Sequence, residues 1–293
     1  IKKHIIFLIL GCITGFIGYK TPYNNYKKIA FAGFCVSTVI TYLTVVPGIG
    51  IEVGGAKRWI NLGLFRFQPV EVLKFFIIAY TAVYLNNKRK ILHDFQAGLL
   101  PLLVILLVPL FIISLQPDLG NVLVTVGVIA SIFLLSQIKV LHLIGLGFSA
   151  VMVLIVYILQ HPYQMSRIKA FLFPWEDPLG RSYHILQSFT AIGSGGLFGL
   201  GIGQSKLKYF YLPLHYSDFI FSVICEEGGF ILGSIVVLLF FIFFMYTMKV
   251  VKKSKDPFTL YLSCGLVLLL LLQAVINIAV VIGLLPVTGI PLT

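Results

Sequence analysis

Eight apolar runs, each close to the length of a membrane-spanning helix, constrain this chain more than any other feature. They cover about residues 4–19, 29–47, 70–86, 98–115, 119–136, 140–160, 219–248 and 258–284, with polar or Pro/Gly-rich stretches between them. A hydrocarbon core about 30 Å thick takes roughly 20 apolar residues of helix to cross. Lipid offers no water to a free N–H or C=O, so only helices or closed barrels span it, and these runs lack the period-two alternation of barrel strands. The expected fold class is therefore all-α, a polytopic integral-membrane helical bundle forming one transmembrane domain over residues 1–293. Composition agrees: only 11% of residues are charged and 59% are hydrophobic, whereas a soluble domain devotes about a quarter of its residues to charge.

The 22 Lys and Arg against 10 Asp and Glu leave a net charge of +12. Nucleic acid is not expected as a partner, because no basic run alternates with exposed aromatics, and multi-pass proteins concentrate Lys and Arg in cytoplasmic loops. Cys12, Cys35, Cys225 and Cys264 lie far apart and form no C-x-x-C pair, so neither a metal site nor a disulfide framework is expected. Lys2-Lys3 followed by an apolar stretch imitates a signal segment, but the chain does not begin with Met and further spans follow. Residue 1 is read as the start of a fragment.

Alternating the loops puts Lys20, Lys27, Lys28, Lys88, Arg89, Lys90, Lys139, Lys249, Lys252, Lys253 and Lys255 on one side, in four short loops. Basic residues are as numerous on the other side, but many lie in the connection 161–218, and long translocated segments follow the positive-inside rule poorly. The short loops are assigned to the cytoplasm, and the connections 48–69 and 161–218 to the outside. Loops this long between spans tend to carry function. Both are rich in aromatic and aliphatic residues, which suits amphipathic or re-entrant segments.

The first connection reads Gly54-Gly55-Ala56-Lys57-Arg58-Trp59-Ile60-Asn61-Leu62-Gly63, then Arg66, Gln68 and Pro69. Its cations could grip a lipid phosphate, or serve with Trp59 as a headgroup anchor. Glu71 and Lys74, spaced i,i+3 just inside a span, can pair on one helix face; such a pair is a functional candidate or simply neutralises itself. Asp118, in Gln116-Pro117-Asp118-Leu119-Gly120, precedes a helix and could be its N-cap.

The second connection holds Arg167, Lys169, Gln187 and a glycine run from Gly193 to Gly203 that fits neither a dinucleotide nor a P-loop pattern. Gly195, Gly199 and Gly203 are spaced by four, which suits one helical face packed closely on a neighbour. From Asp218 to Lys249 is 32 residues, about 48 Å of helix, well beyond the hydrocarbon thickness. Asp218, Glu226 and Glu227 should then project from the membrane, or the helix should break at Gly228-Gly229. A half-shielded carboxylate beside a basic loop is a general-base candidate; Ser217 or Asp218 could equally cap the helix.

Four runs carry a resemblance: Gly55-Ala56-Lys57-Arg58-Trp59-Ile60-Asn61-Leu62-Gly63, Gln116-Pro117-Asp118-Leu119-Gly120, Gln187-Ser188 with Ala191-Ile192-Gly193-Ser194-Gly195-Gly196, and Asp218-Phe219-Ile220-Phe221 with Glu226-Glu227. Together with Gly283-Leu284-Leu285-Pro286-Val287-Thr288-Gly289-Ile290-Pro291-Leu292, they closely resemble the SEDS family of FtsW, RodA and SpoVE. Pro162-Tyr163, Arg167, Pro174-Trp175-Glu176-Asp177-Pro178 and Lys208-Tyr209-Phe210-Tyr211-Leu212-Pro213 look more like the division-type branch than the elongation-type branch.

The resemblance implies a ten-helix protein of the bacterial inner membrane, of which this chain spans the second to ninth helices. It implies a glycosyltransferase polymerising lipid II into peptidoglycan strands beside a class B penicillin-binding protein and other division proteins. Asp218 matches the essential aspartate, with Glu226 and Glu227 following it. Lys57, Arg58, Trp59, Arg66, Arg167, Gln187 and Ser188 fall near the substrate, Glu71 and Lys74 on intramembrane polar positions, and Asp118 is a further candidate. A divalent cation, Mg2+ or Mn2+, is a candidate cofactor. Leu214, Tyr216 and Gly228 depart from the family's pattern, and Thr293 stands where Pro-Phe-Ile-Ser-Tyr-Gly-Gly would be expected. The rival readings are a lipid II flippase, which needs no carboxylate at the outer mouth, an elongation-type polymerase controlling cell shape, and a structural scaffold.

Overall fold

The computed structural model describes residues 2–53, 56–61, 63, 66–205 and 218–292. A helix forms at each of the eight expected spans: α1 (Lys2–Lys20), α2 (Tyr23–Leu43), α3 (Pro69–Asn87), α4 (Leu100–Leu115), α5 (Leu119–Leu135), α6 (Val140–Gln160), α9 (Ile220–Val251) and α10 (Pro257–Val281), with α7 (Pro162–Leu172) and α8 (Tyr183–Gly195) between α6 and α9. Five are long and apolar enough to cross a membrane by length and composition: α3, α4 together with the π-turn Phe95–Leu99 before it, α6, α9 and α10. Within α1, Leu8–Lys20 is a shorter apolar helix, as is α5. The start of α2, Tyr-Asn-Asn-Tyr-Lys-Lys, dilutes its apolar character. The protein is a multi-pass helical membrane protein.

The core lies among α2, α3, α4, α5 and α10. Phe34 of α2 stacks on Tyr80 of α3 with ring centroids 4.9 Å apart. Buried hydroxyls of α2 bond back to their own helix, Thr38 Oγ1 to Phe34 O at 2.7 Å and Thr41 Oγ1 to Ser37 O at 2.7 Å, so they bring no unpaired donor into the core. By contrast α6 buries no residue. Its apolar side chains suit lipid, which is as apolar as they are.

The first long connection differs from the expected amphipathic or re-entrant segment. It folds into an antiparallel sheet of order β1-β2-β3, made of Gly50–Val53, Ala56–Asn61 and Arg66–Phe67. Gly50 pairs with Ile60, Val53 with Ala56, and Asn61 with Arg66, with a bulge between Ile51 and Glu52. Pairing satisfies the backbone of a segment lying against the bundle, where a bare loop would leave groups open.

The expected break in the long helix occurs, at Gly229, where φ is 68° and ψ −171°. The glycine run supplies the missing partners. Leu200 N and Gly201 N donate to the carbonyls of Glu226 and Glu227 at 2.9 and 3.0 Å, while Phe230 N and Ile231 N donate to Gly196 O and Leu197 O at 2.8 and 3.3 Å. Groups freed by the break are thus paired by a neighbouring loop, the condition for irregular backbone inside a membrane protein. The expectation of one helical glycine face is corrected: α8 ends at Gly195, and Gly199, Gly201 and Gly203 all have positive φ. Close approach is nevertheless what Gly199 provides. A Cβ on Gly199 would lie 2.2 Å from Glu227 O, and one on Gly229 would lie 2.4 Å from Gly199 N.

Candidate functional site

At the end of the bundle carrying the sheet, connections α2–α3, α4–α5, α6–α9 and the segment after α10 meet. Strand β2 carries Arg58 over the turn between α4 and α5. Its Nε lies 3.2 Å from Asp118 Oδ2 and donates to Gln116 O at 3.4 Å, and its Nη2 donates to Pro117 O at 2.8 Å. Gln116 is itself buried, its Nε2 donating to Thr41 O at 3.2 Å and Thr44 Oγ1 at 2.5 Å. The turn that receives the guanidinium is therefore pinned to the end of α2.

Asp118 is the N-cap of α5, accepting from Asn121 N at 3.2 Å, and its side chain is only 1% exposed. Capping and charge pairing coexist in it, because Oδ1 faces the helix start and Oδ2 faces Arg58. Oδ2 also accepts from Asn121 Nδ2 at 2.8 Å, and Asn121 Oδ1 accepts from Lys74 Nζ at 3.0 Å. Lys74 donates to Glu71 Oε1 at 2.8 Å; its side chain is fully buried, whereas that of Glu71 is 43% exposed. A buried ammonium is tolerated only when paired and hydrogen-bonded, and the chain Glu71–Lys74–Asn121–Asp118–Arg58 meets that demand across three elements.

Asp218 stands immediately before α9, but the N-cap position falls on Phe219 and takes no side-chain cap bond, so the capping alternative does not hold for it. Its main chain is held from α10: Asn277 Nδ2 donates to Asp218 O and to Ile290 O, both at 2.8 Å. Gly289, with φ +73°, lies beside both charged groups. A Cβ there would be 3.6 Å from Arg58 Nη1 and 3.7 Å from Asp218 Oδ2. A cation and a carboxylate therefore flank one gap that the missing side chain leaves open.

His184 of α8 belongs to this neighbourhood. Its ring lies nearly parallel to that of Phe219 at 6.1 Å between centroids, and its Nδ1 is buried with no hydrogen-bond partner among the described residues. Burial pushes the imidazole below its usual value, against the Asp218 charge, which pulls it up.

The other expected residues are spread more widely. Lys57 and Arg66 are exposed on β2 and β3, and Trp59 is half-buried on β2. Arg167 of α7 donates to Tyr163 Oη at 2.6 Å and lies 4.6 Å from the centre of its ring, so it pairs with a tyrosine of its own helix. α7 reaches the site through Gln164, whose Nε2 donates to Pro117 O at 3.4 Å. Ser188, expected near the substrate, is fully buried and donates to Val281 O at 2.8 Å, which joins α8 to α10. Gln187 is half-buried on α8. Glu226 is buried and accepts from Ser205 Oγ at 2.5 Å, and Glu227 follows it just before the break. Ser217, Leu214, Tyr216 and the run 208–213 lie outside the described residues, as do Gly54, Gly55 and Leu62. Asn121, Asn277, His184 and Gly289 were not anticipated as site residues, since each acquires its meaning from a partner distant in the chain.

Fold and site define a polytopic membrane protein with a buried ion relay beneath a loop-bearing end. The FTSW_RODA_SPOVE family model, described as "Cell cycle protein", matches residues 1–293. The chain belongs to the FtsW/RodA/SpoVE family. Stage V sporulation protein E of Bacillus subtilis is 36% identical over 99% of this chain and 80% of that relative. A probable peptidoglycan glycosyltransferase FtsW of Trichlorobacter lovleyi is 37% identical over 100% of this chain and 77% of that protein. A solved chain described under "Structural coordination of polymerization and crosslinking by a peptidoglycan synthase complex" shares the fold with TM-score 0.81 and 24% identity, over 97% of this chain and 80% of that one. The rod shape determining protein RodA of Thermus thermophilus aligns with TM-score 0.67 and 23% identity, over 97% and 76%.

Proposed function

We propose that the protein is a peptidoglycan glycosyltransferase that polymerises lipid II into glycan strands during cell division, with its loop-bearing end on the extracytoplasmic face of the bacterial inner membrane. The observation that carries this reading is the gap over Gly289, flanked by Arg58 Nη1 and Asp218 Oδ2. Relatives named as probable peptidoglycan glycosyltransferases support it, as does the fold shared with a chain of a peptidoglycan synthase complex. The partner is a class B penicillin-binding protein, among other division proteins.

In this reading Asp218 accepts the proton of the acceptor sugar's hydroxyl as its oxygen attacks the anomeric carbon of the lipid-linked donor. The bond from that carbon to the pyrophosphate oxygen breaks, the electron pair leaves with the pyrophosphate, and the anomeric centre inverts. General-base catalysis contributes about 10²- to 10⁴-fold, and donors placed where charge develops supply further acceleration. Arg58 Nη1 is the donor nearest the gap, with Lys57, Arg66 and Arg167 as outer cations. Among the described residues no group of three or more His, Cys, Asp or Glu could hold a metal ion, and no step here runs through one.

The test compares the full-length wild type with Asp218→Asn, each purified with its class B partner and supplied with lipid II. Polymer from wild type alone, with both proteins equally folded, supports the reading. Equal polymer from both removes Asp218 from the chemistry, and lipid II flipping without polymer by either would make the protein a transporter.

A further inference from the structure

We propose that Asn121 is a positioning residue that sets the orientation of the Arg58 guanidinium from inside the helical bundle. This rests on the reading that the gap over Gly289 takes a lipid pyrophosphate. Arg58 uses Nε and Nη2 on Asp118, Gln116 O and Pro117 O. Nη1 is the nitrogen that remains, and it is the one beside the gap shared with Asp218 Oδ2. Which nitrogen faces the gap is therefore decided by these three acceptors together, the carboxylate of Asp118 among them.

Two groups hold that carboxylate from the bundle side, both belonging to Asn121: its main-chain N–H on Oδ1 and its amide nitrogen on Oδ2. The amide is in turn held by the Lys74 ammonium on its oxygen. Its orientation follows from chemistry alone, since the oxygen must face the cation and the NH₂ the anion. No direct Lys74–Asp118 ion pair occurs among the described residues, so the amide is the link between the two charged pairs. Asn121 is 5% exposed, and water cannot readily stand in for it. An acid at this position could accept from Lys74 but could not donate to Asp118, and an aliphatic residue could do neither.

The side chain touches no reacting atom in this scheme; it acts through Asp118 on Arg58. Its role differs from ordinary packing in one measurable way, namely that its effect should vanish when Arg58 is absent. Steady-state polymerisation of lipid II by the full-length protein with its partner is measured for wild type, Asn121→Leu, Arg58→Ala and the double variant. Asn121→Leu is expected to lower kcat about ten- to a hundredfold, the scale of a hydrogen bond to a charged group, with KM little changed. In the Arg58→Ala background the same change is expected to cost less than about twofold. An equal factor in both backgrounds overturns the proposal.

Asn121→Asp repeats the cycle with shape and the Lys74 acceptor retained, and serves where the leucine variant does not fold. It is expected to lose as much as Asn121→Leu, and wild-type kcat in Asn121→Asp overturns the proposal. Binding separates this claim from the assigned chemistry. Radiolabelled undecaprenyl pyrophosphate is titrated against the same variants. If wild type binds it but makes no polymer, the glycosyltransferase reading fails, while weaker binding in Asn121→Leu only when Arg58 is present upholds the positioning role. Equal weakening in both backgrounds, or a wild type that neither polymerises nor binds, overturns it.

Discussion

The two charged groups that flank the gap are held from different parts of the fold. Arg58 is fixed through its side chain, by two carbonyls and a carboxylate whose own anchors run through Asn121 to Lys74 and Glu71. Asp218 is fixed through its main chain, by the Asn277 amide on its carbonyl oxygen. A cation meant to meet developing charge gains most from being pre-aimed, because it then has no reorganisation to do as the reaction proceeds. A base must change protonation state, and a hold on its backbone does not depend on that change. The cation half should therefore be sensitive to distant buried substitutions, and the main chain of the acid half to changes in α10.

The comparison can be broken most sharply at Asp218 itself. Asp218→Asn should lower polymer formation by about 10²- to 10⁴-fold. Arg58→Ala comes next, with a loss of about 10²- to 10³-fold in kcat; a change in KM alone would show that the guanidinium binds substrate without following its charge. Lys74→Met should reduce both activity and stability, costing about 1.5–3 kcal/mol for hydrogen bonds to a charged group. Thermal unfolding should show a larger drop for it than for Glu71→Gln, because Lys74 is buried and Glu71 is 43% exposed on its side chain. Equal drops would mean the relay ends at Lys74's own helix.

A smaller effect is expected from pH. Burial holds His184 below its usual value, so the unfolded chain binds the proton more readily than the folded protein does. Stability then rises with pH across the window between the depressed value and the ordinary one near 6.5, is fully present above it, and is lost as pH falls. His184→Gln should flatten this part of a pH–unfolding curve. In the wild-type background, Asp218→Asn should lower the His184 value further by removing the neighbouring charge, readable by histidine NMR; an upward move would contradict the placement.

Much of the fold was legible because apolar runs of about 20 residues have few alternatives in lipid. For the 32-residue helix, longer than the membrane is thick, arithmetic left either a projecting end or a break at Gly228-Gly229, and the structure has the break at Gly229. The sheet went unread although Gly54-Gly55 between two short runs is a hairpin signal; the cations and Trp59 pointed to a headgroup anchor instead. A glycine spacing of four suits a helix face, yet α8 ends at Gly195 and the chain from Gly199 to Gly201 meets Glu226 and Glu227 as a loop. In the site, the Glu71–Lys74 pair was visible because its partners are three residues apart. Asn121 and Asn277 were not, since their partners lie 47 and 59 positions away, and only tertiary packing brings them together.

The most direct test of the shared gap is an experimental structure of the full-length protein bound to undecaprenyl pyrophosphate. The account predicts a phosphate within hydrogen-bonding distance of Arg58 Nη1, over Gly289, with the Asp218 carboxylate on the far side of the same space. Pyrophosphate bound elsewhere, with Arg58 and Asp218 facing separate cavities, would contradict it.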